Sequence, residues 1–266
     1  MQELGAIACA PAWEIIVGCK RQVLLVSLVS RLSSPVNMIR FENVSKRYPS
    51  GQEALRELSF ELVPGEMAFV TGHSGAGKST LLKLIALLDR PTRGQVSVAG
   101  QNLAATRRRG IAALRRRIGM VFQDHRLLMD RSVFDNVALP LIIAGIAREE
   151  IGKRVRASLD KVGLLGREGD QPVALSTGEQ QRVGIARAIV AKPPVLIADE
   201  PTGNLDPQLS AEVMTLFGEF QQVGTTVLIA SHDLALIKRM GKRVLVLDHG
   251  RLIDDFKPAW AGGPRP

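Results

Sequence analysis

The chain has 266 residues, 45% of them hydrophobic and 23% charged, which supports a packed core and excludes a disordered or fibrous protein. Its two cysteines, Cys9 and Cys19, lie near the start, so no disulfide framework holds the remainder, and a reducing cytoplasm suits it. The formal net charge of +9 asks for an anionic neighbour: nucleic acid, a membrane surface or a nucleotide.

Residues 1–37 differ in character from the rest of the chain. Lys20 and Arg21 precede a short apolar run at residues 23–29, too short to span a bilayer. The basic pair comes late and no clean small-residue cleavage site succeeds it, which argues against a signal peptide. The expectation is that Met38 starts the folded unit and that residues 1–37 reflect an upstream start. The alternative is a loosely attached amphipathic extension.

From Met38 the pattern becomes strand-like. Ile39-Arg40-Phe41-Glu42-Asn43-Val44 alternates apolar and polar side chains, as a half-buried strand does. Tyr48-Pro49-Ser50-Gly51 predicts a turn, residues 53–62 alternate again, and Pro64-Gly65-Glu66 turns the chain into the apolar run Met67-Ala68-Phe69-Val70. Next comes Gly72-His73-Ser74-Gly75-Ala76-Gly77-Lys78-Ser79, and then a helical pattern, Thr80-Leu81-Leu82-Lys83-Leu84-Ile85. Strand, glycine loop and helix in that order make this a phosphate loop rather than a glycine-rich turn with a chance lysine. Glycines open dihedrals closed to other residues, so successive N–H groups turn inward around a phosphate. The helix start adds partial positive charge. In this reading Lys78 reaches the β- and γ-phosphates and the Ser79 hydroxyl ligates Mg²⁺.

Arg90-Pro91-Thr92-Arg93-Gly94 breaks that helix, and Gln95-Val96-Ser97-Val98-Ala99-Gly100 returns as a strand. The opening part therefore reads as a small antiparallel sheet wrapped around a strand–loop–helix unit. Arg107-Arg108-Arg109 and Arg115-Arg116-Arg117 flank a short amphipathic piece, residues 110–114. No aromatic residues interleave, as a single-strand-binding surface requires. The expected neighbour of this charge is a membrane surface and not nucleic acid; a plain solvated helix face is the alternative. Ile118-Gly119-Met120-Val121-Phe122 is a buried strand candidate ending at Gln123. Residues 124–190 read as mainly helical, with breaks at Pro140, Gly145 and Gly163.

Within that stretch Leu175-Ser176-Thr177-Gly178-Glu179-Gln180-Gln181-Arg182 opens a helix, with Ser176 as N-cap and Glu179 completing a capping box. A capped helix start is also an anion site. Val195-Leu196-Ile197-Ala198-Asp199-Glu200 is an apolar run ending in two acids, and Thr225-Thr226-Val227-Leu228-Ile229-Ala230 is another, ending at Ser231-His232-Asp233. Such runs suit parallel strands covered on both faces. Ligands bind at the carboxyl ends of such strands. Asp199 is then expected to hold Mg²⁺ through water, and Glu200 to take a proton from the attacking water as general base. Residues 242–247 and 251–253 predict a closing hairpin, and the Pro/Gly-rich residues 258–266 a frayed tail.

Taken together these residues resemble the ATP-binding cassette (ABC) ATPases, from about Met38 to Phe256. In the family's order of aromatic loop, Walker A, glutamine loop, signature, Walker B, aspartate loop and histidine loop, the matching residues are Tyr48, Gly72 to Ser79, Gln123, Leu175 to Gln180, Val195 to Glu200, Gly203-Asn204-Leu205-Asp206, and His232. The resemblance implies an α/β phosphate-loop fold over residues 38–257, with a parallel core sheet, an antiparallel β subdomain and a helical subdomain near residues 124–190. It implies Mg²⁺-dependent ATP hydrolysis. The catalytic residues would be Glu200, His232, Gln123 and Lys78. Tyr48 would stack on adenine, Gly72, His73, Ser74, Gly75, Ala76, Gly77, Lys78, Ser79 and Thr80 would surround the phosphates, and Ser79, Gln123 and Asp199 would serve the metal. In this family two cassettes pair head to tail across ATP, so Ser176, Gly178 and Asp206 would meet the nucleotide of a second copy.

The signature departs from the usual Leu-Ser-Gly-Gly-Gln at Thr177, whose branched side chain adds bulk where a phosphate approaches. Residues 72–77, 123–130, 133–140 and 178–188 are most similar to the cell-division cassettes of the FtsE type. That likeness implies a peripheral ATPase on the cytoplasmic face of the bacterial inner membrane, at the division septum. It would be bound to a polytopic FtsX-type protein and would control periplasmic peptidoglycan hydrolysis. A lipoprotein-release or macrolide-export cassette shares residues 199–206 and is the alternative.

Overall fold

The structure is a computed structural model that describes residues 37–203 and 205–258. The expectations for residues 1–36, Asn204 and residues 259–266 lie outside the described residues. The first strands are β1 (Ile39–Arg47), β2 (Glu53–Leu62), β3 (Met67–Thr71), β4 (Arg93–Val98) and β5 (Gln101–Asn102). An antiparallel sheet runs in the order β2-β1-β4-β5. Met38 already pairs with it, its N–H donating to the Leu62 carbonyl at 2.8 Å.

The second sheet adds β6 (Ile118–Val121), β7 (Val195–Asp199), β8 (Thr226–Ala230), β9 (Arg243–Asp248) and β10 (Arg251–Phe256), in the order β10-β9-β3-β8-β7-β6. All its neighbours are parallel except the β9–β10 hairpin. Its central strands are apolar except for one terminal residue each, Thr71, Asp199 and Thr226, because each face packs on a different core. Met67 and Phe69, Leu196 and Ala198, Val227 and Ile229 enter a core shared with the helices. Their neighbours Ala68 and Val70, Val195 and Ile197, Leu228 and Ala230 enter a core shared with the antiparallel sheet. Period-two geometry sends successive side chains to opposite faces, so a doubly covered strand loses its polar alternation. The strand expected at residues 118–122 forms as β6, an edge strand in which Gly119 and Val121 are buried while Ile118 and Met120 are half-buried.

The helices are α1 (Lys78–Ile85), α2 (Arg108–Arg115), α3 (Val133–Ile143), α4 (Arg148–Lys161), α5 (Thr177–Ile189), α6 (Pro207–Gln222) and α7 (Leu234–Met240). Gly145 and Gly163 sit just past α3 and α4 with φ of +73° and +68°, a left-handed conformation that suits helix ends. The break expected at Pro140 does not occur, for this residue lies inside α3. Proline removes the N–H that would have met the Asn136 carbonyl, a penalty of about 3 kcal/mol. Val133, Val137 and Leu141, one per turn on the same face, are fully buried. Each contributes about 1.5–3 kcal/mol, so their burial carries the helix through the proline.

In α2 only Leu114 is buried. Arg115 is a structural arginine, donating to the Ala86 and Leu87 carbonyls at 3.4 and 2.9 Å. Arg107, Arg108, Arg109, Arg116 and Arg117 remain exposed.

Candidate functional site

The loop after β3 is shaped by what lies behind it. Gly72 has φ +150°, and a Cβ there would stand 2.2 Å from the Leu247 carbonyl oxygen of β9. Gly77 has φ +109°, and its Cβ would meet the Ala54 carbonyl oxygen of β2 at 2.6 Å. Both glycines are therefore required by backbone pressed against backbone, as well as by their dihedrals. Lys78, the first residue of α1, is buried, and its ammonium donates to the Gly72 and His73 carbonyls at 2.7 and 3.1 Å. The lysine thus ties the loop into a ring.

The start of α1 is chemically open. Gly77 offers no side-chain cap and no acid lies in the first turn. By contrast α3, α5, α6 and α7 are capped by the side chains of Ser132, Ser176, Asp206 and Asp233. The donors and positive end of α1 fit an anion from outside the chain.

A cleft of about 710 Å³ opens over this loop, lined by Tyr48, the residues from Gly72 to Thr80, Gln123, Glu200 and His232. The structure therefore brings these sequence-predicted residues together. The Tyr48 and Thr80 hydroxyls lie 3.3 Å apart, and Lys46 Nζ sits 5.1 Å from the centroid of the Tyr48 ring. Gln52, Ala54 and Lys83 also line the cleft and were missed in the sequence. Lys83 lies one helical turn beyond Ser79, a spacing that pointed to it; Gln52 and Ala54 carried no local signal.

At the carboxyl end of β7 the Ser79 hydroxyl donates to Asp199. Burial pushes the Asp199 carboxyl above its ordinary value and the neighbouring Glu200 charge adds to this, while Ser79 and Lys78 oppose it. A buried carboxylate held up in this way is one that a divalent cation would relieve. Glu200 has φ +46°, an uncommon conformation for a residue with a side chain. Its N–H donates to the Ala230 carbonyl at 2.9 Å, and its carboxylate lies 3.0 Å from His232 Nδ1. The Gln123 loop turns through His125 and Arg126, at φ +55° and +48°. Arg187 of α5 clamps their carbonyls at 2.6 and 2.7 Å, and burial pushes its own guanidinium down.

Ser176, Gly178 and Asp206 do not line this cleft. Ser176 forms a complete capping box with Glu179, its hydroxyl donating to that carboxylate at 2.9 Å. Thr177 is exposed, whereas Gly178 is buried, and a Cβ on it would stand 2.1 Å from Leu209 Cδ2. Asp206 caps α6 by accepting from the Gln208 and Leu209 N–H groups, both at 3.0 Å.

Comparison with known proteins agrees with this geometry. A family model described as ABC transporter matches residues 55–203. The chain is 59% identical over 215 residues to the cell division ATP-binding protein FtsE of Escherichia coli strain K12, covering 81% of this chain and 97% of that one. It is 46% identical over 218 residues to FtsE of Bacillus subtilis strain 168, covering 82% and 96%. Among solved structures, the dimeric ATP-binding cassette MJ0796 in a post-hydrolysis state bound to ADP and Pi is similar with a TM-score of 0.77 and 34% identity, covering 83% of this chain and 98% of that one. The cbiO1 cassette of Clostridium perfringens matches with a TM-score of 0.77 and 33% identity, covering 84% and 89%.

Proposed function

The chain belongs to the ATP-binding cassette transporter family as an ATP-binding, ATP-hydrolysing subunit, and we propose that it serves cell division as a cassette of the FtsE type. The observation that carries the catalytic reading is the Glu200–His232 pair at a strand end, facing the open start of α1 across one cleft. Tyr48 stacks on adenine at the rim. The loop from Gly72 to Thr80 and the Lys78 ammonium hold the phosphates. Ser79, Asp199 and Gln123 would hold Mg²⁺, which supplies charge neutralisation for the transferring phosphoryl group. Glu200 takes a proton from water as the water oxygen bonds to the γ-phosphorus; the bond to the β-phosphate oxygen breaks, and ADP leaves with that electron pair. His232 positions Glu200 and faces the γ-phosphate.

Ser176, Gly178 and Asp206 act on the nucleotide of a second copy, since they stand apart from this chain's own cleft. Ser176 must then turn its hydroxyl proton from Glu179 to the incoming phosphate. The dimer sits peripherally on the cytoplasmic face of the inner membrane at the septum, against an FtsX-type polytopic protein. The exposed arginines of residues 107–117 suit an anionic surface. No helix among the described residues is long and apolar enough to cross a membrane. The catalytic domain starts at Met38, as its pairing with β2 supports, and residues 1–37 are dispensable for turnover.

The test is a pull-down from membranes with Glu200→Gln in the presence of ATP. Recovery of a polytopic division protein is the expected result. Recovery of a lipoprotein-release permease instead, or of no polytopic membrane protein, would overturn the cell-division assignment.

A further inference from the structure

The chain has four histidines, and two of them converge outside the Glu200 pair. His73, the second residue of the phosphate loop, meets Asp248 and His249 at the turn between β9 and β10. One ligand-capable atom from each lies within 4.8 Å of the others. His73 Nε2 is 2.9 Å from Asp248 Oδ1, and His249 Nε2 is 3.8 Å from the same oxygen. The two imidazole rings are tilted by 56° with centroids 4.8 Å apart, so they are not stacked.

The tautomer of His73 sharpens this. Its Nδ1 lies 2.6 Å from the Ser74 carbonyl oxygen, which can only accept, so that nitrogen carries the proton. In the neutral ring Nε2 then presents a lone pair toward a carboxylate oxygen 2.9 Å away. Two lone pairs at that separation need a cation between or beside them: a proton, making imidazolium, or a metal ion. A backbone carbonyl holding one ring nitrogen while the other faces outward is the usual support of a metal-binding histidine. With metal–nitrogen and metal–oxygen distances of about 2.0–2.2 Å, two ligands of a tetrahedral ion stand about 3.3 Å apart. The 2.9 and 3.8 Å separations to Asp248 lie on either side of that value, whereas the three ligand atoms together spread over 4.8 Å, so an exposed imidazole must turn inward to close on one ion.

The scaffold behind the cluster is fixed. The Gly250 N–H donates to the Ala76 carbonyl at 3.1 Å, and the Arg56 N–H to the Gly250 carbonyl at 2.8 Å. The close approach of Gly72 to Leu247 presses the loop and the hairpin together from the other side. The three side chains are partly exposed, from 44% for Asp248 to 79% for His249, which leaves an entry path and room for water as fourth ligand.

We propose that His73, Asp248 and His249 bind a single divalent transition-metal ion of the zinc class, tying the phosphate loop to the β9–β10 turn. Two imidazoles and one carboxylate select zinc, cobalt, nickel or copper over magnesium, which prefers oxygen ligands. This site is separate from the Ser79–Asp199 position and is held by different chemistry.

The test uses the untagged, metal-stripped full chain without nucleotide, so its outcome does not depend on the ATPase reading. Co²⁺ is added and displaced with Zn²⁺, in parallel with His249→Asn and Asp248→Asn. Asparagine suits position 249, where φ is +44°, and melting in chelator confirms that each variant folds. The natural chain should give the visible absorption of four-coordinate Co²⁺, abolished by Zn²⁺ and unaffected by millimolar Mg²⁺. Each variant should bind Zn²⁺ at least about 10-fold more weakly, and Zn²⁺ should raise the melting temperature of the natural chain only. Equal Zn²⁺ affinity in all three proteins would overturn the proposal, as would competition by Mg²⁺. So would a near-ultraviolet thiolate band of equal strength in all three, which would put the ion on Cys9 and Cys19.

Discussion

Two helix starts in this molecule share the same chemistry and are finished differently. The start of α1 has a glycine loop, a lysine tie and no side-chain cap, and a cleft of this chain's own residues stands over it. The start of α5 has a complete capping box and an exposed Thr177, and its residues do not line that cleft. The first site is assembled within one chain; the second is an internally satisfied helix start that stands apart from that cleft. Satisfying the N-terminal donors internally makes α5 stable without ligand, whereas α1 leaves them for one. Folding and ligand binding are thus separable at the second site and coupled at the first.

The largest test of that difference is Glu200→Gln. The amide cannot accept a proton from water, so phosphate release should fall by about 10²–10⁴-fold while ATP still binds. Light scattering should then find an ATP-dependent dimer. Undiminished turnover would remove Glu200 from the reaction and leave the first site without its base.

Lys78→Ala comes next. It removes charge-assisted hydrogen bonds worth about 1.5–3 kcal/mol, so titration calorimetry should find ATP bound about 10- to 100-fold more weakly. Because the same ammonium holds the Gly72 and His73 carbonyls, the ligand-free melting temperature should fall too. Unchanged affinity would mean that the loop amides alone hold the phosphates.

Asp199 gives a pH dependence. Burial, and then Glu200, raise its carboxyl pKa in the folded chain, so the folded state holds that proton more tightly than the unfolded one. The associated stability is complete below the ordinary aspartate value of about 3.9 and is lost as pH rises through the raised value. Calorimetry without Mg²⁺ or nucleotide should show Asp199→Asn with a flatter melting profile over that window, and at neutral pH at least the stability of the natural chain. Parallel profiles would show that ionised Asp199 costs the fold nothing.

The smallest effects belong to the second helix start. Ser176→Ala should cost about 1 kcal/mol through the lost cap and weaken the ATP-dependent dimer, yet leave monomer nucleotide affinity unchanged. Thr177→Gly should lower stability by about 0.5–1 kcal/mol and tighten the dimer in the Glu200→Gln background, since it clears a branched side chain from the phosphate approach. A looser dimer would show that the threonine hydroxyl contributes a hydrogen bond.

Much of the site was legible because its signals are local. The loop from Gly72 to Ser79 is contiguous, the Ser176–Glu179 box spans one helical turn, and the acids of Asp199-Glu200 close an apolar run. Backbone conformation and short-range hydrogen bonds act over such spans, so residue order alone determines them. The doubly covered strands were legible for a related reason, since burial on both faces erases polar alternation wherever it occurs. Tertiary structure decided the rest. Pro140 stays helical because Val133, Val137 and Leu141 are buried, a fact about their surroundings and not their order. Gly72 and Gly77 were legible from the motif's spacing, but the backbone they must clear, at Leu247 and Ala54, lies far from them in sequence and left no local signal. The meeting of His73 with Asp248 and His249 needed the parallel pairing of β3 with β9, which brings the ends of two strands far apart in the chain to one edge of the sheet.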